Sequence, residues 1–232
     1  MVLNKIELLK KRHSVRVYKD ESFSDEIKIE ISRIVREINE EHNLNFQEFF
    51  DEPEVFAGNK PHYGAFKNVK NYIVFTGKPS DREKIGFYGE EIVLKLVELG
   101  ISSCWCGLTF KKSKLNIKLN DGEKVIIVLA IGYALSEGKA HKSKSIEDVL
   151  EKGSVLPEEY KIGVEAMLLA PTAINQQKFK IRFENNLPII NSKGIGPFLD
   201  VDLGIVKYHF EFVTLTKTNR DYWGFDYESF NN

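Results

Sequence analysis

The chain has 232 residues with 33 Lys and Arg against 34 Asp and Glu, a formal charge of −1, so no global field draws nucleic acid or an anionic membrane. A hydrophobic content of 42% with 29% charged residues excludes a disordered chain and provides for a core, in one large domain or in two related units. The longest apolar run, 125–131, falls far short of the about 20 residues a membrane span needs, and Cys104 and Cys106 are too few and too close for a disulfide framework. The amino terminus is charged by its fifth residue and lacks a signal-peptide run, so a soluble protein of a reducing, cytoplasmic setting is expected.

Residues 2–11 place Val2, Ile6 and Leu9 on one face of a short amphipathic helix that leads into a basic segment. From Ser24 to about His42 the apolar residues Ile27, Ile31, Ile34 and Ile38 recur at helical spacing, with Ser24 as N-cap and two acids in the first turn. Residues 43–67 have no period and predict mostly loop, with a turn of helix near Phe46 to Phe50. Asn71 to Thr76 and Val125 to Ala134 are β-rich and predict interior strands. Between them, Arg82 to Leu99 predicts a buried helix stopped by Gly100.

Ser145 and Asp148 form a capping-box variant over 144–150, and Pro157 starts a further helix to about Leu169, stopped by Pro171. Lys178 to Phe183 alternates as a half-buried strand, and Pro197 to about Glu211 predicts a last helix. The aromatic tail, 218–232, is rich enough in rings to dock. The fold class is α+β, with helices around few strands. Helix, strand and helix recur loosely in 1–150 and in 155–216, which leaves open two unequal related halves.

No P-loop, HExxH, CxxC or complete dinucleotide fingerprint is present, and four other segments remain. Arg12-His13-Ser14-Val15-Arg16 packs donors of phosphate-binding type into five residues; if it is extended, residues 12, 14 and 16 share a face. Gly100 to Gly107 (GISSCWCG) carries small residues that let backbone amides approach a planar ligand, with Trp105 as a stacking or packing surface; it is equally a helix cap followed by a buried strand. Cys104 and Cys106 lack further ligands for a metal, and a disulfide across two positions is strained. Lys142-Ser143-Lys144 offers two point charges, and Ala170 to Gln177 (APTAINQQ) offers uncharged donors and acceptors suited to a heterocycle's edge.

Together these segments resemble the nitroreductase family of flavin mononucleotide (FMN) enzymes. Residues 12–16 resemble its R-[RH]-S-x-R phosphate motif, and residues 100–107 resemble its G-[LI]-G-[ST]-C-W-x-G segment beside the reactive ring edge. Lys142 and Lys144 stand where the family has a K-x-R clamp, with Lys for Arg at the last position, and 170–177 resembles A-P-S-x-x-N-x-Q-P-W, with Lys178-Phe179 in place of Pro-Trp.

That last segment normally precedes the Cys-Trp segment and reaches the flavin from the partner of a homodimer. Its late position here resembles a permuted, fused branch in which one chain forms a pseudo-dimer. Residues 1–154 would then carry the phosphate clamp and 155–232 would act as the partner.

The resemblance implies a three-layer fold with a central, mostly antiparallel sheet flanked by helices. It implies FMN as cofactor, held by Arg12, His13, Ser14, Arg16, Trp105, Cys106, Gly107, Lys142, Lys144, Pro171, Thr172, Asn175 and Gln177, and no catalytic side chain. Flavin N5 would take hydride from NADH or NADPH and pass it, in ping-pong fashion, to nitroaromatics, quinones or similar flat acceptors. Two readings stand beside it: a flavin-binding or interaction module without turnover, and an anion-binding regulatory domain.

Overall fold

The structure is a computed structural model that describes residues 2–58 and 65–214 together with Trp223 and Phe225. Helix α1 (Val2–Lys11) leads into an extended segment, and α2 (Asp25–His42) follows, its Ser24 hydroxyl capping the Ile27 amide. Asn43 ends α2 with a left-handed backbone at φ 50°, a conformation Asn tolerates. Strands β1 (Gln47–Phe49), β2 (Asn71–Gly77), β3 (Ser102–Cys106) and β4 (Lys124–Gly132) form one antiparallel sheet in the order β1-β2-β4-β3. Helix α3 (Arg82–Glu98) connects β2 to β3.

The expected helical turn at Phe46 to Phe50 is instead the edge strand β1. The aromatic rings there are what the sheet uses: Phe49 stacks on Tyr72 at 5.0 Å and Phe46 meets Phe75 edge-on at 4.6 Å. Helix α3 stops at Gly100 as predicted, in a left-handed conformation at φ 75°. Gly100 N–H donates to the Val97 carbonyl at 3.0 Å and Ile101 N–H to that of Leu96 at 2.9 Å, a Schellman ending that turns the chain into β3.

Beyond the sheet come the short α4 (Ile146–Val149), α5 (Lys161–Met167), the hairpin β5 (Phe179–Glu184) and β6 (Leu187–Ser192), and α6 (Leu199–Thr214). The predicted helix from Pro157 is a 3-10 turn, Glu158–Tyr160, running into α5. Strand β6 was not expected; Asn185 and Asn186, at φ 51° and 60°, make the tight hairpin turn before it.

One face of the four-stranded sheet, with Ile73, Phe75, Ile127 and Leu129, packs against α2, α3, α5 and α6 in one continuous core. The other face, with Tyr72, Val74, Val128 and Ala130, is covered by Val15, Tyr18, Val55, Phe56 and Val69. Helices α3 and α6 press backbone to backbone: a Cβ on Gly204 would collide with the Glu83 carbonyl, and one on Gly86 with that of Val201. Elements of residues 155–214 thus share a core with those of the first half. Trp223 and Phe225 dock on α6 and α3, Trp223 donating to Glu211 Oε2 at 2.6 Å and Phe225 lying 5.3 Å from Phe87. The remainder of the tail and residues 59–64 of the long loop lie outside the described residues.

Candidate functional site

The segment after α1 runs extended along β3, with Ser14 bridged to Ser103 and Val15 N–H donating to the Ser103 carbonyl at 3.0 Å. That conformation puts Arg12, Ser14 and Arg16 on the wall of a cavity of about 570 Å³. Trp105, Cys106 and Gly107 at the end of β3 line it, as do Pro171, Thr172 and Asn175 from the turn after α5. A volume of this size suits a cofactor-sized ligand.

Arg12 is 5% exposed, and its Nε has no hydrogen-bond partner. Burial lowers its pKa, opposed by the charge of Glu90, whose Oε1 lies 3.8 Å from that Nε. Trp105 Nε1 donates to the other oxygen of Glu90 at 2.9 Å, so the indole is held from beneath while it faces the cavity. Burial pushes the Cys104 thiol up and that of Cys106 to about 12, so both stay neutral thiols. Gly107 is required by contact: a Cβ there would strike the ring of Phe198, itself a cavity residue with a left-handed backbone at φ 57°.

The other expected residues stand elsewhere. His13 lies in a second recess with Lys10, Lys11 and Lys19, and burial lowers its pKa. Lys142 and Lys144 are not among the residues lining the cavity. Lys144 Nζ donates to the Gln177 carbonyl at 2.6 Å, and its backbone N–H to Gln177 Oε1 at 2.8 Å. The Lys142 carbonyl accepts from Asn175 Nδ2 at 3.0 Å and from Gln177 Nε2 at 2.9 Å. Gln177 is buried, and its bonds to 142–144 satisfy its polar side chain and form a brace behind the cavity wall.

The brace holds a strained turn, in which Ile174, Asn175 and Gln177 have φ of 49°, 53° and 44°. A β-branched residue is costly in that region, and such strain persists where surrounding bonds over-determine it. Ile174 nonetheless lines the cavity mouth while 55% exposed.

Three further polar residues carry the site and had no motif to announce them. Asp202 of α6 faces the cavity and accepts from Ala173 N–H at 2.9 and 3.0 Å and from Gln176 Nε2 at 2.8 Å. Burial pushes its carboxyl up to about 7 against those bonds. Glu90 and His209 are fully buried and meet at 2.9 Å. The available signal is compositional: a carboxylate within the apolar run of α3, and Asp202 and His209 within that of α6.

A family model described as Putative TM nitroreductase matches residues 4–214. Among solved structures, a protein of Thermotoga maritima described as a putative nitroreductase is 24% identical with a TM-score of 0.65, over 90% of this chain and 82% of that one. A protein of Parabacteroides distasonis described as a putative NADH dehydrogenase/NAD(P)H nitroreductase is 18% identical with a TM-score of 0.50, over 65% of this chain and 98% of that one. A nitroreductase family protein of Streptococcus pneumoniae is 16% identical with a TM-score of 0.50, over 63% and 98%. At these identities the likeness is one of fold. No curated protein matches the chain.

Proposed function

Since this chain belongs to the family described as Putative TM nitroreductase, we propose that it is an FMN-dependent oxidoreductase that draws on NADH or NADPH and reduces flat acceptors such as nitroaromatics or quinones. The observation that carries the reading is the meeting of Arg12, Ser14 and Arg16 with Thr172 and Asn175 on one cavity, where a buried guanidinium nitrogen lacks a partner.

The residues fit the cofactor. Arg12, Ser14 and Arg16 supply two guanidinium groups and a hydroxyl for a phosphate. Trp105, Cys106 and Gly107 form a wall where a planar ring system approaches backbone closely, and Thr172 and Asn175 stand on another side. When bound, the flavin supplies two-electron hydride chemistry, and the protein supplies placement and field. The neutral thiols of Cys104 and Cys106 keep negative charge away from a dianionic ligand. The brace of Lys142, Lys144 and Gln177 orders the turn that carries Thr172 and Asn175. Leu108 and Ile174, both exposed, make the mouth apolar and suit it to a flat, weakly hydrated acceptor.

Arg12, Ser14, Arg16 and residues 104–107 line one side of this cavity and residues 171–175 with Phe198, Val201 and Asp202 the other, which supports reading the chain as a pseudo-dimer. The test is the visible spectrum of the purified protein followed by anaerobic titration with each nicotinamide nucleotide. A yellow protein that bleaches supports an enzyme, one that binds flavin without bleaching a module without turnover, and one that takes up no flavin overturns the reading.

A further inference from the structure

Behind the cavity floor, Glu90 of α3 joins three elements. Its Oε2 accepts from Trp105 of β3, its Oε1 lies 2.9 Å from His209 Nε2 of α6, and Arg12 Nε stands 3.8 Å from the same oxygen. Glu90 and His209 are 0% exposed and Arg12 5%.

The hydrogen-bond partners determine the charge of this group. His209 Nδ1 lies 3.1 Å from the Ala166 carbonyl, which can only accept, so Nδ1 carries a hydrogen. A bare Nε2 and a bare carboxylate are both acceptors, so the 2.9 Å contact requires a second proton between them. On nitrogen it makes an imidazolium and a carboxylate; on oxygen it makes a neutral ring and a neutral acid. The pair sums to zero in both states. Arg12, Glu90 and His209 together then carry one net positive charge, and although Arg12 stands within ion-pair reach of Glu90, 3.8 Å is too long for a hydrogen bond. Cys104, also close to Arg12, stays a neutral thiol and cancels nothing.

We propose that Glu90 and His209 are positioning residues that anchor Trp105 and leave the charge of Arg12 free for an anion in the cavity. This rests on the flavin reading only in naming that anion as the cofactor's phosphate. Were His209 neutral and unable to supply the shared proton, the Glu90 carboxylate would cancel Arg12 and the floor would lose its excess charge.

The test uses the full chain freed of flavin, with FMN, riboflavin and inorganic phosphate as probes. His209→Asn is expected to lower FMN affinity about tenfold, the scale of one lost charge-assisted contact, while riboflavin, which lacks the phosphate, binds as before. Adding Glu90→Gln to that variant is expected to restore the FMN preference, because it removes the cancelling carboxylate and keeps an acceptor for Trp105. His209→Gln serves as a second neutral replacement should Asn not fold.

Equal losses of FMN and riboflavin, or a double variant as weak as His209→Asn, overturn the proposal in favour of simple packing. Should the wild type bind neither flavin while phosphate still raises its melting temperature and that of the double variant, but not that of His209→Asn, the charge assignment stands and the flavin reading falls.

Discussion

Gly204 lies directly against the backbone carbonyl of Glu83, with no room for a side-chain carbon between α6 and α3. The contact sets the helix spacing that lets Glu90 reach His209 and Lys207 reach Glu83. Gly204→Ala is therefore expected to destabilise the protein by about 1–3 kcal/mol, the range for overpacking a rigid contact. Denaturant unfolding measures it, and an unchanged midpoint contradicts so close an approach.

Arg12→Ala is expected to strip flavin from the purified protein, with FMN affinity reduced about tenfold to a hundredfold, the scale of a lost charge-assisted contact. Absorbance in the flavin band is the measurement. A fully yellow variant would place the phosphate elsewhere.

The buried carboxyl of Asp202, raised to about 7, lies well above the ordinary carboxylate range of about 4. The folded state then holds a proton that the unfolded state has released, so this group's contribution is fully present below about pH 4 and is lost as pH rises to about 7. Asp202→Asn removes the dependence. The wild type minus variant difference in melting temperature should fall between pH 4 and 8, and a flat difference would show that the bonds from Ala173 and Gln176 outweigh burial.

Cys106, with its thiol pushed up to about 12, exposes almost no thiolate at pH 8. Modification by a disulfide reagent should be slower in the folded protein than in denaturant by about a thousandfold or more. Rates taken with and without denaturant decide it.

Ile174 holds a left-handed backbone at φ 49° that a β-branched residue resists. Ile174→Gly is expected to relieve strain worth about 1–2 kcal/mol, offset in part by glycine's greater freedom when unfolded. It also removes an aliphatic surface at the cavity mouth, so the KM for flat acceptors should rise while flavin content is unchanged. A large loss of stability would instead mean that Ile174 packs where it is now exposed.

Much of the architecture was legible because its signals are local. The isoleucines of α2, the continuous apolar run of β4 and the glycine after α3 each act within a few residues. Strand β1 was missed because three residues of an edge strand leave no period to detect, and its aromatics decide in favour of the sheet only once Tyr72 and Phe75 are beside them. The hairpin partner β6 had a signal in Asn185-Asn186 that the alternation of β5 did not require.

Spacing in an extended segment places 12, 14 and 16 on one wall of the cavity, while Val15 and Val17, which line it as well, do not follow from that alternation. Glu90 and His209 were not legible either, since 119 positions separate them and neither belongs to a motif. Lys144 shows the reverse: a cation with the right sequence context is bonded to the carbonyls of the turn it braces.

The insertion of α6 has a further consequence, for the order of events during biosynthesis. Arg12, Ser14, Arg16 and residues 104–107 emerge from the ribosome long before Phe198, Val201, Asp202 and Ile205, yet all of them border the same hollow. A nascent chain that stops short of α6 presents the bare flank of α3, with Gly86 uncovered, as a sticky, half-built surface. Burial of that flank waits until α6 has left the ribosome, so the growing polypeptide depends on speed or on chaperones until that helix docks.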